Sequence, residues 1–411
     1  MSTIQLSKAQ SSVNGVIDLA SSKSESNRAL IINALCDGNS SLSNLANARD
    51  TETMQRLLAS TDNVLDVLDA GTTMRFLTAF TAVKGIPTEL TGSSRMQERP
   101  IKLLVDALKT IGADISYLKN EGYPPIKING FDRENPNNKI EIRGDVSSQY
   151  ISALLMVAPT LPQGLVLELT GKIGSKPYIQ MTLNLMAKFG VTSNWNENII
   201  TVQPQSYSST NYTIEADWSA ASYWYSMVAL ADEGKVQLNG LRKDSNQGDS
   251  VLTELMIQLG VKTTFNDTGV LLEKCDSADS LDWDFTHCPD IAQTISVICA
   301  AKGISCRLSG LESLRIKETD RIDAIKQELS KFGVEVGVEG DEVITIENPN
   351  FKTGNDVTIA TYKDHRMAMA FAPLALIESL KIENPSVVNK SYPDFWRDLE
   401  AVGFEQQELV H

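Results

Sequence analysis

Nine basic side chains fall into five short groups: Lys23 with Arg28, Arg95 with Arg99, Lys317 with Arg321, His365 with Arg366, and Lys390. Each group lies where a polar stretch steps into an apolar, helix-like run. The helix macrodipole disfavours cations at such starts and favours them at helix ends. One group could be an ordinary surface pair. Five in register point to several segments aiming positive charge at a shared anionic ligand, which exposed N–H groups at helix starts also favour. The whole chain is acidic, with a formal net charge of -15, and this argues against nonspecific nucleic-acid binding, which needs a basic footprint.

The elements that must position these groups recur about every seventy residues. Polar clusters begin at Ser24, Gly71, Ser147, Ser219, Asp290 and Asp364, so the last four intervals are 76, 72, 71 and 74. Apolar runs follow at residues 29–35, 74–83, 151–158, 223–231, 295–301 and 367–377. A second series keeps the same period: Leu-X-Gly or a near match at Leu90, Leu169, Leu238 and Leu308, then an apolar-Gly step at Gly112, Gly190, Gly260 and Gly333, with Gly403 closing the last copy. Such periodicity marks a repeated supersecondary unit. One unit reads as strand, buried helix, strand, amphipathic helix and paired strands, the last expected at 334–338 and 343–346 around an Asp341-Glu342 turn. The first copy spans only 47 residues, from Ser24 to Gly71, which suggests a trimmed loop or strand.

Six such units exceed one core, so two domains of three units are expected. The break is placed near Glu215-Ala216-Asp217, giving residues 21–216 as an inserted domain and residues 1–20 with 217–411 as a discontinuous one. The strand around residues 4–6 is expected to pair with the C-terminal half, and ligands to bind between the domains. The chain of 411 residues is 42% apolar, and no segment reads as a transmembrane span or signal peptide. Its five cysteines, at 36, 275, 288, 299 and 306, form no paired framework, so reduced thiols in a cytoplasmic protein are expected.

Seven motifs, in order, resemble the signatures of the 5-enolpyruvylshikimate-3-phosphate synthase (EPSP synthase) family of enolpyruvyl transferases. They are Lys23-Ser24-Glu25-Ser26-Asn27-Arg28, Gly71-Thr72-Thr73-Met74-Arg75, Arg95-Met96-Gln97-Glu98-Arg99-Pro100, Asp145-Val146-Ser147-Ser148-Gln149, Ser175-Lys176-Pro177-Tyr178, Leu314-Arg315-Ile316-Lys317-Glu318-Thr319-Asp320-Arg321 and Asp364-His365-Arg366-Met367. The resemblance covers nearly the whole chain, from Lys23 to Lys390. It implies an α/β fold of two inside-out barrels, each of three βαβαββ units, and transfer of the enolpyruvyl group of phosphoenolpyruvate to the 5-hydroxyl of shikimate 3-phosphate. It implies no metal or redox cofactor, no nucleic-acid or membrane partner, and a monomer.

The same resemblance assigns Lys23, Gly71, Arg95, Gln149, Arg321, Arg366 and Lys390 to the phosphoenolpyruvate site. Lys23, Ser24, Arg28, Ser147, Ser148, Ser175, Lys317 and Asp290 go to the shikimate 3-phosphate site, with Tyr178 beside it. Asp290 resembles the family's proton acceptor at the 5-hydroxyl and Glu318 its proton donor to the methylene carbon, with Lys23 sharing the proton traffic and His365 supporting. Substrates rich in phosphate and carboxylate need convergent Arg and Lys, Arg for bidentate contacts, and proton transfer needs a placed acid and base.

Each residue has a plainer reading. Ser147-Ser148 could cap a helix, 317–321 could be a solvated charged turn, Gly71 a turn glycine, Asp290 an N-cap, and Cys288 beside His287 a buried thiol. Three positions depart from the family pattern: Asp69 for Asn, Phe76 for Pro and Ser313 for Asn. UDP-N-acetylglucosamine enolpyruvyl transferase is the nearest rival, but it carries a loop Cys that Gly92-Ser93-Ser94-Arg95 lacks. A nonenzymatic anion-binding relative would not require both Asp290 and Glu318. An RNA-phosphate cyclase is disfavoured by the acidic charge.

Overall fold

The computed structural model describes residues 2–8, 10–36, 38, 40–135, 137–145, 147–354 and 356–409; Val146 of the Ser147 motif lies outside them. The chain divides into two compact units, Met1–Ser21 with Glu215–His411, and Ser22–Ile214. Each has its own core, one around Trp218, Trp224, Phe285 and Phe395, the other around Phe76, Leu154, Met186 and Phe189.

The repeat that begins at Ser280 displays the unit in full. Strand Ser280–Asp284 leads into helix Ala292–Lys302, strand Ser305–Ser309, helix Arg321–Ser330, and strands Gly337–Glu339 and Val343–Ile346. The first two strands are parallel, as a helical crossover requires, and Val343–Ile346 is antiparallel to the second with Gly337–Glu339 at the edge. That edge strand starts at Gly337 rather than at Val334, because Val334 and Val336, both buried, drop into the core from an irregular approach. Five four-stranded sheets of this kind occur among the described residues, with one two-stranded sheet.

The helix after each leading strand is buried on nearly all sides, as its mainly apolar and small residues require, with charged residues kept to its first two turns or its last residue. In Gly71–Lys84 even the hydroxyls are internally satisfied: Thr78 donates to the Met74 carbonyl at 2.7 Å and Thr81 to that of Leu77 at 2.7 Å. The second helix of five repeats ends at a glycine in the left-handed region, Gly112, Gly190, Gly260, Gly333 and Gly403, with φ of 112°, 85°, 92°, 73° and 90°. Only glycine takes that conformation without strain, and it satisfies the last helical carbonyls.

Strand exchange closes the pattern. Thr3–Ser7 lies antiparallel between Leu380–Glu383 and Glu405–Leu409, so the N-terminus completes the sixth repeat. Ser12–Asp18 precedes helix Lys23–Leu35 in sequence, yet it leads the fourth repeat's sheet, parallel to Glu233–Asn239. Asn211–Thr213 precedes helix Trp218–Leu230 but pairs with Ser41–Ser43 of the first repeat. The short first copy therefore lacks the paired strands and the glycine before them. Residues Glu215 to Asp217 stay with the C-terminal unit because the buried Glu215 carboxylate accepts from Trp218 Nε1 at 2.9 Å, Arg242 N at 2.9 Å, Ser245 Oγ at 2.6 Å and Gln247 Nε2 at 3.1 Å.

Candidate active site

In the unit containing the C-terminus, Asp290 sits in the turn Pro289–Ile291 ahead of helix Ala292–Lys302 and does not cap it. Its carboxylate faces three cations instead: Arg366 Nη2 at 3.0 Å, Arg321 Nη1 at 3.1 Å and Lys317 Nζ at 3.7 Å. Burial opposes ionisation, but Arg366, Lys317 and Arg321 outweigh it and hold the carboxyl well below its usual range. Burial pushes the Lys317 ammonium down, against the pull of Asp290.

Arg321, only 2% exposed, opens the helix Arg321–Ser330. Its Nε donates to Asp364 Oδ2 at 2.7 Å and its Nη2 to Glu318 Oε2 at 3.1 Å, while Lys390 Nζ stands 3.2 Å from Glu318 Oε1. Burial alone would lower the Arg321 pKa; Asp364 and Glu318 reverse that and raise it. Asp364 also caps its own helix by accepting from Arg366 N at 2.9 Å, and His365 Nδ1 lies 3.6 Å from its Oδ1. The run 317–321 is thus a partly buried charge network anchored on the buried Arg321 rather than a solvated turn.

In the unit Ser22–Ile214, Ser22 caps the helix Lys23–Leu35 by accepting from Glu25 N. Lys23 Nζ stands 3.2 Å from Asp50 Oδ2. One turn on, Arg28 is buried, with Nε donating to Thr182 Oγ1 at 2.7 Å, Nη1 to the Ser24 carbonyl at 2.8 Å and Nη2 to Ser152 Oγ at 3.0 Å. Its guanidinium lies 5.4 Å from the Phe76 ring and 5.9 Å from that of Tyr178, so the departure at Phe76 places a ring against this cation. Burial lowers the Arg28 pKa to about 10, with Tyr178 and Glu25 opposing. Among the described residues its hydrogen bonds go to neutral oxygens, with the Glu25 charge close enough to act on it, so an anionic ligand would favour this buried cation further.

Ser147 does cap helix Ser148–Val157, accepting from Gln149 N at 3.4 Å, and Gln149 Nε2 then donates to Thr72 Oγ1 at 3.1 Å, joining two helix starts. Ser175, at a φ of 51°, heads helix Lys176–Lys188 without a side-chain cap, the kind of non-glycine strain that clusters at functional sites.

Arg95 differs from its assignment. Its side chain is 49% exposed and pairs with Glu98 at 3.0 Å. The guanidinium lying on Gly71 is that of Arg99: a Cβ built on Gly71 would stand 2.5 Å from Arg99 Nη1. The turn Met96–Glu98 buries Met96 and leaves the two arginines on different sides of it. Gly71 is the first residue of its helix, at ordinary φ, so close approach rather than a turn requires it. Cys288 is buried, and burial followed by the Asp249 charge pushes its thiol to about 12. Sequence reasoning missed Asp50 and Asp249, acids at the starts of second helices in the first and fourth repeats. Repeat register was the one signal for them, since Arg321 holds the corresponding place in the fifth.

A sequence profile for EPSP synthase (3-phosphoshikimate 1-carboxyvinyltransferase) matches residues 7–60 and 55–399. A 3-phosphoshikimate 1-carboxyvinyltransferase of Bacteroides fragilis (strain YCH46) is 47% identical over 403 residues, covering 97% of this chain and 98% of that protein. The chain belongs to the EPSP synthase family. A more distant namesake from Pseudoalteromonas atlantica is 36% identical over 422 residues, 95% of this chain and 97% of its own. The solved EPSP synthase of Acinetobacter baumannii shares the fold, with a TM-score of 0.80 at 18% identity over 99% of this chain and 100% of that one. The architecture is accordingly the two-domain inside-out α/β fold of EPSP synthases.

Proposed function

We propose that the chain transfers the enolpyruvyl group of phosphoenolpyruvate to the 5-hydroxyl of shikimate 3-phosphate, releasing phosphate. The observation that carries the residue roles is the caging of Asp290 and Glu318 by Lys317, Arg321, Arg366 and Lys390. Held this way, Asp290 is a weak base. Substrate phosphate and carboxylate groups would draw those cations to themselves, leaving Asp290 more basic and Glu318 free to carry a proton.

The 5-hydroxyl oxygen then bonds to C2 of phosphoenolpyruvate as its proton passes to Asp290 and Glu318 protonates C3, with the Lys23 ammonium placed to share in that donation. The adduct collapses when C3 returns a proton to Glu318 and the C2–O bond to phosphate breaks. Lys23, Gly71, Gln149, Arg321, Arg366 and Lys390 would hold the donor, with Arg95 swinging in from its pair with Glu98 or Arg99 taking its place. Ser24, Arg28, Ser147, Ser148, Ser175, Tyr178 and Lys317 would hold the acceptor. Among the described residues no helix is long and apolar enough to cross a membrane; a cytoplasmic monomer is the form we propose, which sedimentation and fractionation would test. The deciding experiment is phosphate release from phosphoenolpyruvate with shikimate 3-phosphate as acceptor, against a UDP-N-acetylglucosamine control. Release only with the latter would overturn the assignment.

A further inference from the structure

Asp249 is a carboxyl that the reaction above does not use. It lies in the turn Gly248–Val251 that opens the fourth repeat's second helix and is 3% exposed. Its neighbour Gln247 clamps that turn to the start of helix Trp218–Leu230. Gln247 Nε2 donates to the Ala216 carbonyl at 2.7 Å, and its Oε1 accepts from Trp218 N at 3.0 Å. The clamp brings Asp249 Oδ2 into a hydrogen bond with the Ser219 hydroxyl, while Oδ1 has no hydrogen-bond partner among the described residues. Ser219 Oγ accepts from Arg366 Nη2 at 3.4 Å, and the same Nη2 stands 3.0 Å from Asp290 Oδ2. One guanidinium nitrogen is therefore shared between the candidate base and an interior carboxyl, with a serine between them.

We propose that Asp249 is a positioning residue for enolpyruvyl transfer, acting through Ser219 to hold Arg366 and to set how much of its charge reaches Asp290 and the anionic substrate. The inference rests on the roles given above to Arg366 and Asp290. A neutral carboxyl leaves Oδ1 as a carbonyl-like oxygen, far cheaper to bury unpaired than half of a carboxylate. The groups facing Asp249 are Arg366, Asp290, Asp217 and the Cys288 thiol. Burial, then the charge of Asp290, raises Asp249 to about 7, with Asp217 adding and the Ser219 bond and Arg366 opposing. Below neutrality Arg366 meets Asp290 and the ligand alone. Above it, an ionised Asp249 draws the guanidinium toward Ser219 and adds negative charge beside a site built for anions.

The test is the pH dependence of KM for phosphoenolpyruvate and of kcat, from phosphate-release rates of wild type, Asp249→Asn and Ser219→Ala. Comparison at each pH cancels the titration of the substrates themselves. The ratio of wild-type to Asp249→Asn KM should rise from about one below neutrality to roughly three- to tenfold above it, the size of a half- to one-unit coupling between neighbouring charges. Ser219→Ala, which cuts the link and leaves the acid in place, should flatten the same rise if Asp249→Asn fails to fold. Ratios independent of pH in variants that stay folded across the whole pH range would reduce Asp249 to a buried turn residue and overturn the proposal. A wild type that binds no phosphoenolpyruvate by calorimetry and releases no phosphate would instead overturn the functional assignment and this inference with it.

Discussion

Asp290, Glu318 and Asp364 compensate one another's cations so closely that substitutions there report on charge balance as well as chemistry. Asp290→Asn and Glu318→Gln keep size and most hydrogen bonding but remove the titrating groups. Turnover should fall by roughly 10²–10⁴, the usual contribution of a placed acid or base, in variants that remain folded at the assay temperature; unchanged kcat in both would dismiss them as catalysts. Arg321→Ala is a different experiment. It strips the buried Asp364, Asp290 and Glu318 of a shared partner, so a stability loss of about 3–5 kcal/mol is expected by chemical denaturation. Lys390→Ala removes one contact of Glu318 and is the cleaner probe of donor affinity, with about a ten- to hundredfold rise in KM expected for one charge-assisted contact. Asp249 has a signature in stability as well. Its carboxyl is raised from 3.8 to about 7, so the proton it binds favours the folded state fully at low pH, and that advantage is lost as pH climbs through about 7. Asp249→Asn should therefore melt at increasingly higher temperature than wild type as pH rises across that interval, and by a constant margin beyond it.

At the scale of elements, the start of a repeat's second helix or turn reaches back to the start of its first helix. Asp50 meets Lys23, Arg99 lies on Gly71, Asp249 bonds Ser219 and Arg321 pairs with Asp290. One geometric position thus carries an acid in two repeats and an arginine in two others, which is how a repeated scaffold yields an asymmetric site. Gly71→Ala tests the second of these contacts. Its Cβ would meet the mobile end of Arg99 at 2.5 Å, so the arginine should shift, raising KM for phosphoenolpyruvate and lowering sensitivity to glyphosate, the inhibitor associated with this family. Equal inhibition of both proteins would place Arg99 outside the donor site. Gly112→Ala tests the helix ends instead. With φ at 112° and the Asp132 carbonyl 2.4 Å from a new Cβ, destabilisation beyond the roughly 1–2 kcal/mol of left-handed strain alone is expected, readable as a lower denaturation midpoint.

At the scale of the molecule, each compact unit carries its own set of cations at helix starts. An anionic ligand seated on either set should stabilise the unit that carries it; a thermal melt with shikimate 3-phosphate that matches the ligand-free one would count against it.

What the chain determines by itself is what local chemistry can encode. The period of polar steps into apolar helices, the left-handed glycines at Gly112, Gly190, Gly260, Gly333 and Gly403, and the ordered motifs from Lys23 to Lys390 depend on residues a few positions apart, and with them come the repeat and the family. Tertiary structure alone decides which distant strands pair and where long side chains point. Thus Ser12–Asp18 and Asn211–Thr213 trade sheets, Arg99 rather than Arg95 lies on Gly71, and Asp249 reaches Arg366 through a serine thirty positions back. Those outcomes follow from packing between segments far apart in sequence, where no local preference discriminates among the alternatives.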